Sequence, residues 1–325
     1  MKKIYSLFCI GALASSIFAA DPDEGLPWFT GPLLTPSPYT VDPGHINVEP
    51  YVFYSDTNGF YDSNSNRKDA VSYIQWYEQI PVQMGVAKGV EFDLVPSVYT
   101  NSKSDQSSTF LGDTLASLYY QAYKSPDNFW FPSIKVGARV LFPTGNFERF
   151  NPSKSEVQST GGGCYATTFT LALGKAYHIY DNHYINFRTF FGYTYSFPTH
   201  VEGFNTYGGG YGTYGTVYPG NSFAWLLGLE YNLTKNWALA FDLQYSASNK
   251  TSFDGVIGTV NPISESEDPV AAEIGSPSNW QWSVAPAIEY NFNTHWGIIA
   301  GPWFTIAGKN TGAFISIAAA VNIWY

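Results

Sequence analysis

Hydrophobic and polar residues alternate along the chain from about residue 45 onward, in segments of about ten residues. In the clearest segment, every second position is large and apolar: Trp237, Leu239, Phe241, Leu243 and Tyr245. A period of two is typical of β-strands with two unlike faces. Twelve such strands are predicted, near positions 45–55, 70–81, 88–100, 111–123, 129–142, 162–175, 183–197, 221–232, 235–248, 279–292, 295–307 and 312–325.

The connections between these strands alternate in length. Short turns are predicted near 82–87, 124–128, 176–182, 233–234 and 293–294. Their counterparts near 56–69, 143–161, 198–220 and 249–278 are long, and those near 101–110 and 308–311 are shorter. Short periplasmic turns and long extracellular loops are typical of bacterial outer-membrane barrels, which also have an even number of strands.

Two further features favour a membrane barrel over a soluble β-sandwich. The polar face consists mainly of Gly, Ala, Ser and Asn, whereas a soluble protein usually presents Lys and Glu to water. Aromatic residues stand near the segment ends and predict a girdle at the membrane–water boundary: Trp130, Trp237, Trp280, Trp282, Trp296 and Tyr325. The predicted fold is therefore an all-β, transmembrane antiparallel β-barrel of about 12 strands, located in the bacterial outer membrane.

The composition agrees with this fold. Of the 325 residues, 18% are aromatic and only 13% are charged, about half the charged fraction of a typical soluble domain. The formal net charge of -10 argues against nucleic acid as a partner, because binding to phosphates requires an excess of cationic side chains. Cys9 lies in the predicted export signal, so Cys164 would be alone in the mature chain, without an intramolecular disulfide.

The N-terminus has the layout of a secretory signal peptide, predicted over residues 1–20. Lys2 and Lys3 precede an apolar stretch over 4–17, and Ala19-Ala20 provide small residues for cleavage. Residues 21–44 follow as a Pro- and Gly-rich periplasmic segment, and residues 45–325 form the predicted barrel domain. The apolar residues of this segment suggest that it plugs the lumen, whereas the alternative is a disordered leader.

The last predicted strand carries a second export signal. Its alternate residues are apolar and the chain stops on an aromatic residue: Ile315, Ile317, Ala319, Val321, Ile323 and Tyr325. This pattern resembles the C-terminal signature by which the barrel assembly machinery recognises its substrates, although that signature most often ends in Phe. The expected partners are this machinery, outer-membrane lipid and lipopolysaccharide, and a small-molecule solute.

The charged residues of the predicted strands define the inside of the barrel. A charge facing lipid is costly, so we expect these side chains to line the pore. The predicted pore-lining residues are Glu49, Glu91, Asp93, Asp113, Lys135, Arg139, Arg188, Glu230, Asp242 and Glu289. They either fill and stiffen the lumen or form a polar pathway. Twelve strands lie between packed eight-stranded barrels and open porins, which predicts a narrow or plugged pore.

Motifs for catalysis or metal binding are weak in this sequence. Barrel enzymes of the phospholipase and lipid-A deacylase families carry His-x-Ser on a strand, where the histidine is the base for the serine nucleophile. None of the five histidines here is followed by serine two residues later. His178, Asp181 and His183 cluster at one turn, but a capped turn explains them better than a metal site. No enzyme activity, cofactor or metal is therefore predicted.

Three stretches resemble a known family of outer-membrane barrels. They are Gly112-Asp113-Thr114, Phe142-Pro143-Thr144-Gly145, and the hairpin over residues 228–245. Together they are similar to the family named for transport in the phenol meta-degradation pathway, over roughly residues 45–325. The resemblance implies a barrel fold and the passage of small compounds, hydrophobic or aromatic ones among them.

The sequence thus predicts an outer-membrane channel for small molecules that works by passive or gated diffusion. A second hypothesis is a surface-exposed barrel whose long loops mediate adhesion or host interaction. Loops 198–220 and 249–278 are the candidates, because the first contains a run of glycine and tyrosine over 207–216. A barrel enzyme is the third hypothesis.

Overall fold

A computed structural model describes residues 28–127, 129–261 and 268–325, so the predicted signal peptide lies outside the described residues. In chain order, the described strands are β1 (Ile46–Val48), β2 (Tyr51–Tyr61), β3 (Arg67–Gln79), β4 (Val82–Ala87), β5 (Val90–Val95), β6 (Ser97–Lys103), β7 (Gln106–Leu111), β8 (Thr114–Tyr123), β9 (Ser133–Phe142), β10 (Ala166–Tyr180), β11 (His183–Ser196), β12 (Thr199–Glu202), β13 (Tyr214–Tyr218), β14 (Ser222–Asn232), β15 (Trp237–Ser248), β16 (Ser252–Val256), β17 (Asn279–Asn291), β18 (Trp296–Lys309) and β19 (Thr311–Trp324). A 3-10 helix spans Pro152–Val157. No helix among the described residues is long and apolar enough to cross a membrane.

The strands close into a twelve-stranded antiparallel barrel, which confirms the predicted fold class. Each of the first four barrel strands consists of two segments: β1 with β2, β3 with β4, β5 with β6, and β7 with β8. The other eight are β9, β10, β11, β14, β15, β17, β18 and β19. The last strand closes the barrel against the first, with Ala320 opposite Tyr51 and Ile323 opposite Val48.

The alternation in the sequence corresponds to the two faces of the barrel wall. In β15, the side chains of Trp237, Leu239 and Phe241 are between 39% and 46% exposed, whereas Ala238 and Asp242 are fully buried. The exposed apolar face forms the outer belt, where it meets lipid chains. The small or polar face points into the lumen, so the sequence pattern assigns the orientation of this strand correctly.

Four neighbouring strands are interrupted, and prolines lie at three of the breaks. Pro50, Pro81 and Pro96 separate β1 from β2, β3 from β4 and β5 from β6. Proline has no N–H to donate to a β-ladder, so pairing is interrupted where it stands. Their carbonyls still accept: the N–H of Glu49 donates to Pro81 at 3.0 Å and that of Ile80 to Pro96 at 3.1 Å.

The turn predicted over 82–87 is wrong, because the chain resumes as β4 after Pro81 and turns only after Ala87. Gly85 lies within β4, at a close approach to Asp42. A Cβ at Gly85 would lie 2.0 Å from the carbonyl oxygen of Asp42, so only glycine fits there.

Other strand ends also differ from the prediction. The loops predicted near 56–69 and 101–110 are mostly strand, because β2 continues to Tyr61 and β6 to Lys103. Their outward residues are polar, so the apolar alternation disappears while cross-strand pairing continues. Thr100 and Thr109, for example, are hydrogen-bonded at 2.8 Å between their hydroxyl oxygens. The turn predicted over 176–182 shrinks to 181–182, and β9 begins at 133 rather than 129.

The long loops at one end of the barrel fold onto one another. β12, β13 and β16 form a separate three-stranded antiparallel sheet. Val201 on β12 and Val217 on β13 are fully buried, beside the nearly buried Tyr207 and the partly buried Phe147. The long connections on this side and the short turns on the other agree with the extracellular and periplasmic ends expected of such a barrel.

Candidate solute pathway in the barrel lumen

Residues 28–44 run inside the barrel, before the first strand begins. Leu33, Leu34, Thr35 and Val41 have no exposed surface, and Phe29 is 4% exposed. Leu33 and Leu34 belong to the same apolar cluster as inward residues of the barrel wall. This segment therefore fills part of the space that an open pore would need.

Carboxylates of the wall accept hydrogen bonds from the backbone of this segment, which is named the inner segment below. Asp242 on β15 accepts from the N–H of Leu34 at 3.1 Å and from the N–H of Thr35 at 2.9 Å. Glu289 on β17 accepts from the N–H of Thr30 at 2.9 Å. Both carboxylates are fully buried, and a buried carboxylate is stable only when such donors surround it.

A second contact holds the other end of the inner segment. Glu91 on β5 accepts a hydrogen bond from the N–H of Val41 at 2.6 Å. Lys135 on β9 donates to Glu91 at 3.0 Å and to the carbonyl oxygen of Tyr39 at 3.0 Å. The lysine thus joins the wall to the inner segment. Its ion pair with Glu91 is buried, since the Lys135 side chain is 3% exposed.

Gly228 on β14 provides room for the inner segment. A Cβ at this position would lie 2.6 Å from Pro32 Cγ and 2.8 Å from Thr35 Cβ. Any larger residue would therefore collide with the inner segment rather than with the barrel wall. The wall is shaped for the segment at this point.

A buried ion pair joins two adjacent strands of the wall next to this contact. Arg188 on β11 lies 3.2 Å from Glu230 on β14, and neither side chain is exposed. Asn186 donates to the same carboxylate at 2.6 Å. Because the three residues lie on adjacent strands, they stiffen the lumen wall as well as neutralise charge.

Asp93, Ser117 and Arg139 form a row across three neighbouring strands, since their backbones are paired directly opposite one another. Arg139 donates to the hydroxyl of Tyr119 at 2.6 Å, and its guanidinium lies 4.7 Å from the ring centre of Phe190. Among the described residues, Asp93 Oδ1 and Arg139 Nη2 have no hydrogen-bond partner. Buried polar atoms without partners are suited to water or to the polar group of a solute.

Aromatic rings also line the lumen, on strands β2, β3, β6, β18 and β19. They are Tyr51, Phe53, Tyr77, Tyr99, Trp303 and Phe314. Successive ring centres are 5.7 Å apart for Tyr51 and Phe53, 5.4 Å for Phe53 and Tyr77, and 4.4 Å for Tyr77 and Tyr99. Trp303 joins them, at 6.1 Å from Phe53 and 4.7 Å from Phe314. These rings are named the aromatic cluster below.

The aromatic cluster departs from the simple rule that apolar residues face lipid. Tyr51, Phe53 and Tyr77 are at most 8% exposed, whereas their outward neighbours Tyr54 and Trp76 are 36% and 46% exposed. Both faces of β2 and β3 carry aromatic residues here, so alternation could not identify the inner one. The lumen consequently carries an aromatic cluster as well as its charged residues.

Nine of the ten predicted pore-lining residues are at most 4% exposed: Glu49, Glu91, Asp93, Lys135, Arg139, Arg188, Glu230, Asp242 and Glu289. Glu49 is hydrogen-bonded by the amide of Asn322. Asp113 lies apart from the other nine, because it accepts from the N–H groups of Gly145 at 2.9 Å and Gly162 at 2.8 Å and so anchors an extracellular loop. A role in conduction remains a prediction for all ten.

The predicted girdle residues lie near the ends of the barrel. Trp237, Trp296 and Tyr325 are 42%, 46% and 70% exposed at the end that carries the short turns. Trp130, 71% exposed, lies in the turn before β9 rather than within a strand. Trp280 and Trp282 lie at the opposite end, at the start of β17, and are partly exposed. Their contact with the membrane boundary remains a prediction.

The turn at His178, Asp181 and His183 uses its histidines for hydrogen bonds to the backbone. His178 Nε2 lies 2.6 Å from the carbonyl oxygen of Asp181, and His183 Nδ1 lies 3.1 Å from that of Asn232. Within the described ranges, no group of three His, Cys, Asp or Glu side chains could hold a metal ion. The geometry is that of a capped turn.

Comparisons with known proteins show the fold. No protein-family model and no curated protein sequence matches the chain. An outer membrane channel from Pseudomonas putida F1 superposes with a TM-score of 0.65 at 10% identity, over 88% of this chain and 97% of that one. The β domain of a Bordetella autotransporter gives a TM-score of 0.49 at 10% identity, over 87% of this chain and 100% of that one.

At this level of identity, the first likeness shows a shared outer-membrane barrel fold. The closed barrel and its apolar outer belt place the protein in the bacterial outer membrane, as predicted.

Proposed function

We propose that this protein is an outer-membrane channel for small hydrophobic or aromatic molecules, and that the inner segment is its gate. The observation that carries the proposal is the aromatic cluster inside the lumen. A water-filled porin has a polar lumen, whereas packed rings with centres 4.4 to 6.1 Å apart offer an apolar solute favourable contacts along its path.

The inner segment supports gating rather than a permanently open pore. Its backbone N–H groups at Thr30, Leu34, Thr35 and Val41 are all bound by wall carboxylates. Water can replace these hydrogen bonds, and displacement also requires Leu33 and Leu34 to leave the apolar cluster that they share with the wall. Displacement would open the lumen between its charged residues and the aromatic cluster.

The interrupted strands suggest where an apolar solute leaves the barrel. Pro50, Pro81 and Pro96 lie on the strands that carry Tyr51, Phe53, Tyr77 and Tyr99 or on their direct continuations. A wall segment with fewer N–H donors has fewer hydrogen bonds to break. We therefore place a lateral exit to the membrane at these breaks, beside the aromatic cluster.

The resemblance of Gly112-Asp113-Thr114 and the 228–245 hairpin to the phenol meta-degradation family supports the choice of an aromatic cargo. The aromatic cluster gives that choice a physical basis, because flat apolar rings stack favourably on one another.

Two measurements test the proposal. Uptake of the hydrophobic dye N-phenyl-1-naphthylamine by Gram-negative host cells reports passage of an apolar aromatic molecule across the outer membrane. We expect expression of the wild-type protein to speed uptake and Trp303→Leu to slow it severalfold. Trp76→Leu is the matched control, because Trp76 is 46% exposed on the outer face of the same part of the barrel. Equal uptake by cells with and without the protein would refute an apolar cargo.

Single-channel conductance of the purified, refolded protein in planar bilayers tests the gate. We expect the wild type to be mostly closed and Gly228→Val to give frequent open steps, because the new side chain collides with Pro32 and Thr35. Gly192→Ala is the control, since the nearest atom to its added Cβ is Phe190 Cε1 at 3.1 Å and not the inner segment. Steady large steps from the wild type would instead indicate an open porin.

The adhesion hypothesis is supported by a different observation. Tyr211, Tyr214 and Tyr218 in the extracellular loops are 38%, 58% and 46% exposed. Exposed tyrosines are frequent in binding surfaces because they provide a large contact area with few rotatable bonds. Deletion of these loops would abolish adhesion and leave the barrel intact if this second function exists.

A further inference from the structure

The extracellular loops enclose a cleft that has no part in the proposed lumen pathway. Its volume is about 450 Å³, within the usual range for small-molecule sites. Its walls come from two loops, at residues 149–152 and 202–214. The second of these loops joins the end of β12 to the start of β13, so the cleft lies beside the folded sheet of the extracellular end.

Aromatic rings form the walls of this cleft. Phe204 and Tyr211 pack edge to face with ring centres 5.1 Å apart, and Tyr214 packs against His200 at 4.3 Å. Tyr214 is nevertheless 58% exposed, so most of its ring is available to a ligand. The backbone of Phe150 donates to the carbonyl oxygen of Phe204 at 2.9 Å, which holds the two loops together.

An ion pair stands at the edge of the same cleft. Arg149 donates through Nε to Glu202 at 3.0 Å, and its Nη2 lies 2.8 Å from the same carboxylate oxygen. The backbone of Arg149 has a φ of 53°, a conformation that is uncommon outside glycine. A second carboxylate is close, because Glu148 accepts a hydrogen bond from the N–H of Glu202 at 2.8 Å.

The aromatic walls and the ion pair together favour one class of ligand. Stacking rings suit a flat apolar face, while the ion pair offers N–H donors from Arg149 and acceptor oxygens from Glu202 side by side. An anionic ligand would compete with Glu202 for the guanidinium and would also approach Glu148. A sugar ring has an apolar C–H face and neighbouring hydroxyls that both donate and accept.

We propose that the cleft lined by Phe204, Tyr211, Tyr214, Arg149 and Glu202 binds a neutral saccharide at the extracellular surface. The site is independent of the lumen, so it would persist in a barrel that conducts nothing.

Saturation-transfer NMR on the full-length, folded protein tests this site. The detergent must lack a sugar head group, and LDAO satisfies that condition. The probes are maltotriose, mannobiose and galactobiose as neutral saccharides, with galacturonate and benzoate as anionic comparisons. We expect at least one neutral saccharide to bind with a dissociation constant on the order of 1 mM.

Paired tyrosine variants locate the binding. Tyr214→Ala is expected to weaken it about fivefold, since one stacking contact contributes about 1 kcal/mol and a tenfold change in affinity corresponds to about 1.4 kcal/mol. Tyr218→Ala is the matched control, because Tyr218 lies on the same strand, is 46% exposed and is outside the cleft. Heat-modifiable gel mobility confirms that each variant is folded.

Three results would overturn the proposal: no neutral saccharide binds the folded wild type, the anionic probes bind more tightly, or Tyr214→Ala binds as well as Tyr218→Ala. Glu202→Gln gives an independent check, because the loss of the ion pair should weaken saccharide binding in a variant whose aromatic walls are unchanged.

Discussion

Asp242 binds Thr35 twice, accepting one hydrogen bond from its backbone N–H at 2.9 Å and one from its hydroxyl at 2.6 Å. Both partners are fully buried. This contact fixes the inner segment at its middle, so it is the first one to remove.

Asp242→Ala is expected to release the inner segment. Hydrogen bonds to a charged group contribute about 1.5–3 kcal/mol each, so loss of this contact should raise the open population at least tenfold. Single-channel open probability in planar bilayers measures it. Gln244→Ala is the control, because Gln244 lies two residues along the same strand, is also buried, and its Oε1 has no hydrogen-bond partner among the described residues. Equal open probabilities for the two variants would contradict the role of Asp242.

Arg188→Ala is expected to destabilise the barrel strongly. The substitution leaves Glu230 as an uncompensated charge in a fully buried position, and breaking a buried pair in this way typically costs about 3–5 kcal/mol. The free energy of unfolding, measured in guanidinium by tryptophan fluorescence, should fall by that amount.

The matched control for this prediction is the same change in an exposed pair. Arg149→Ala breaks the pair with Glu202, but Arg149 is 69% exposed, so the cost should be about 0–1 kcal/mol. Comparable losses in the two variants would mean that the buried pair contributes no more than a surface one.

The sequence was sufficient to predict the fold because each strand repeats the same physical pattern. Trp237, Leu239 and Phe241 face lipid, while Ala238 and Asp242 face the lumen, as the alternation requires. Charged residues such as Arg188 could be assigned to the lumen because lipid excludes them.

The inner contacts could not be predicted in the same way. Asp242 binds backbone N–H groups, which every residue except proline has, so nothing in the sequence identifies Thr35 as its partner. Tyr51 and Phe53 face inward although β2 also carries aromatic residues outward, so the two faces look alike in sequence. The strand predicted over 70–81 stops at Pro81, whereas the barrel strand continues beyond it as β4. These three features depend on distant parts of the chain.

Cys164 is expected to resist labelling in the folded protein. Its side chain is buried, and the hydroxyl of Tyr207 lies 3.7 Å from its sulfur. Burial raises the pKa of the Cys164 thiol, so the reactive thiolate is scarce near neutral pH. Maleimide labelling at pH 7 should be at least tenfold slower in the folded protein than after heating in SDS. Rapid labelling of the folded protein would show that the loop around Tyr207 opens readily.

Asp62 provides a pH test at the extracellular end, in the hairpin between β2 and β3. The ammonium group of Lys68, 2.9 Å away, together with the N–H groups of Asn66 and Asn64, lowers the pKa of Asp62 from 3.8 to about 2. A lowered pKa in the folded state means that this carboxylate stabilises the hairpin above pH 3.8. The contribution is lost as the pH falls through about 2.

Carbon-13 NMR of protein labelled at aspartate measures this titration, with Asp62→Asn to assign the signal. The Asp62 carboxyl should titrate near pH 2 in the wild type and move toward 3.8 in Lys68→Ala, because the largest cause of the shift is the hydrogen bond from Lys68. Lys88→Ala is the control, since Lys88 lies in the turn after β4, at the opposite end of the barrel. A wild-type midpoint near 3.8 would mean that Lys68 and Asp62 do not stay paired in solution, as is common for exposed ion pairs.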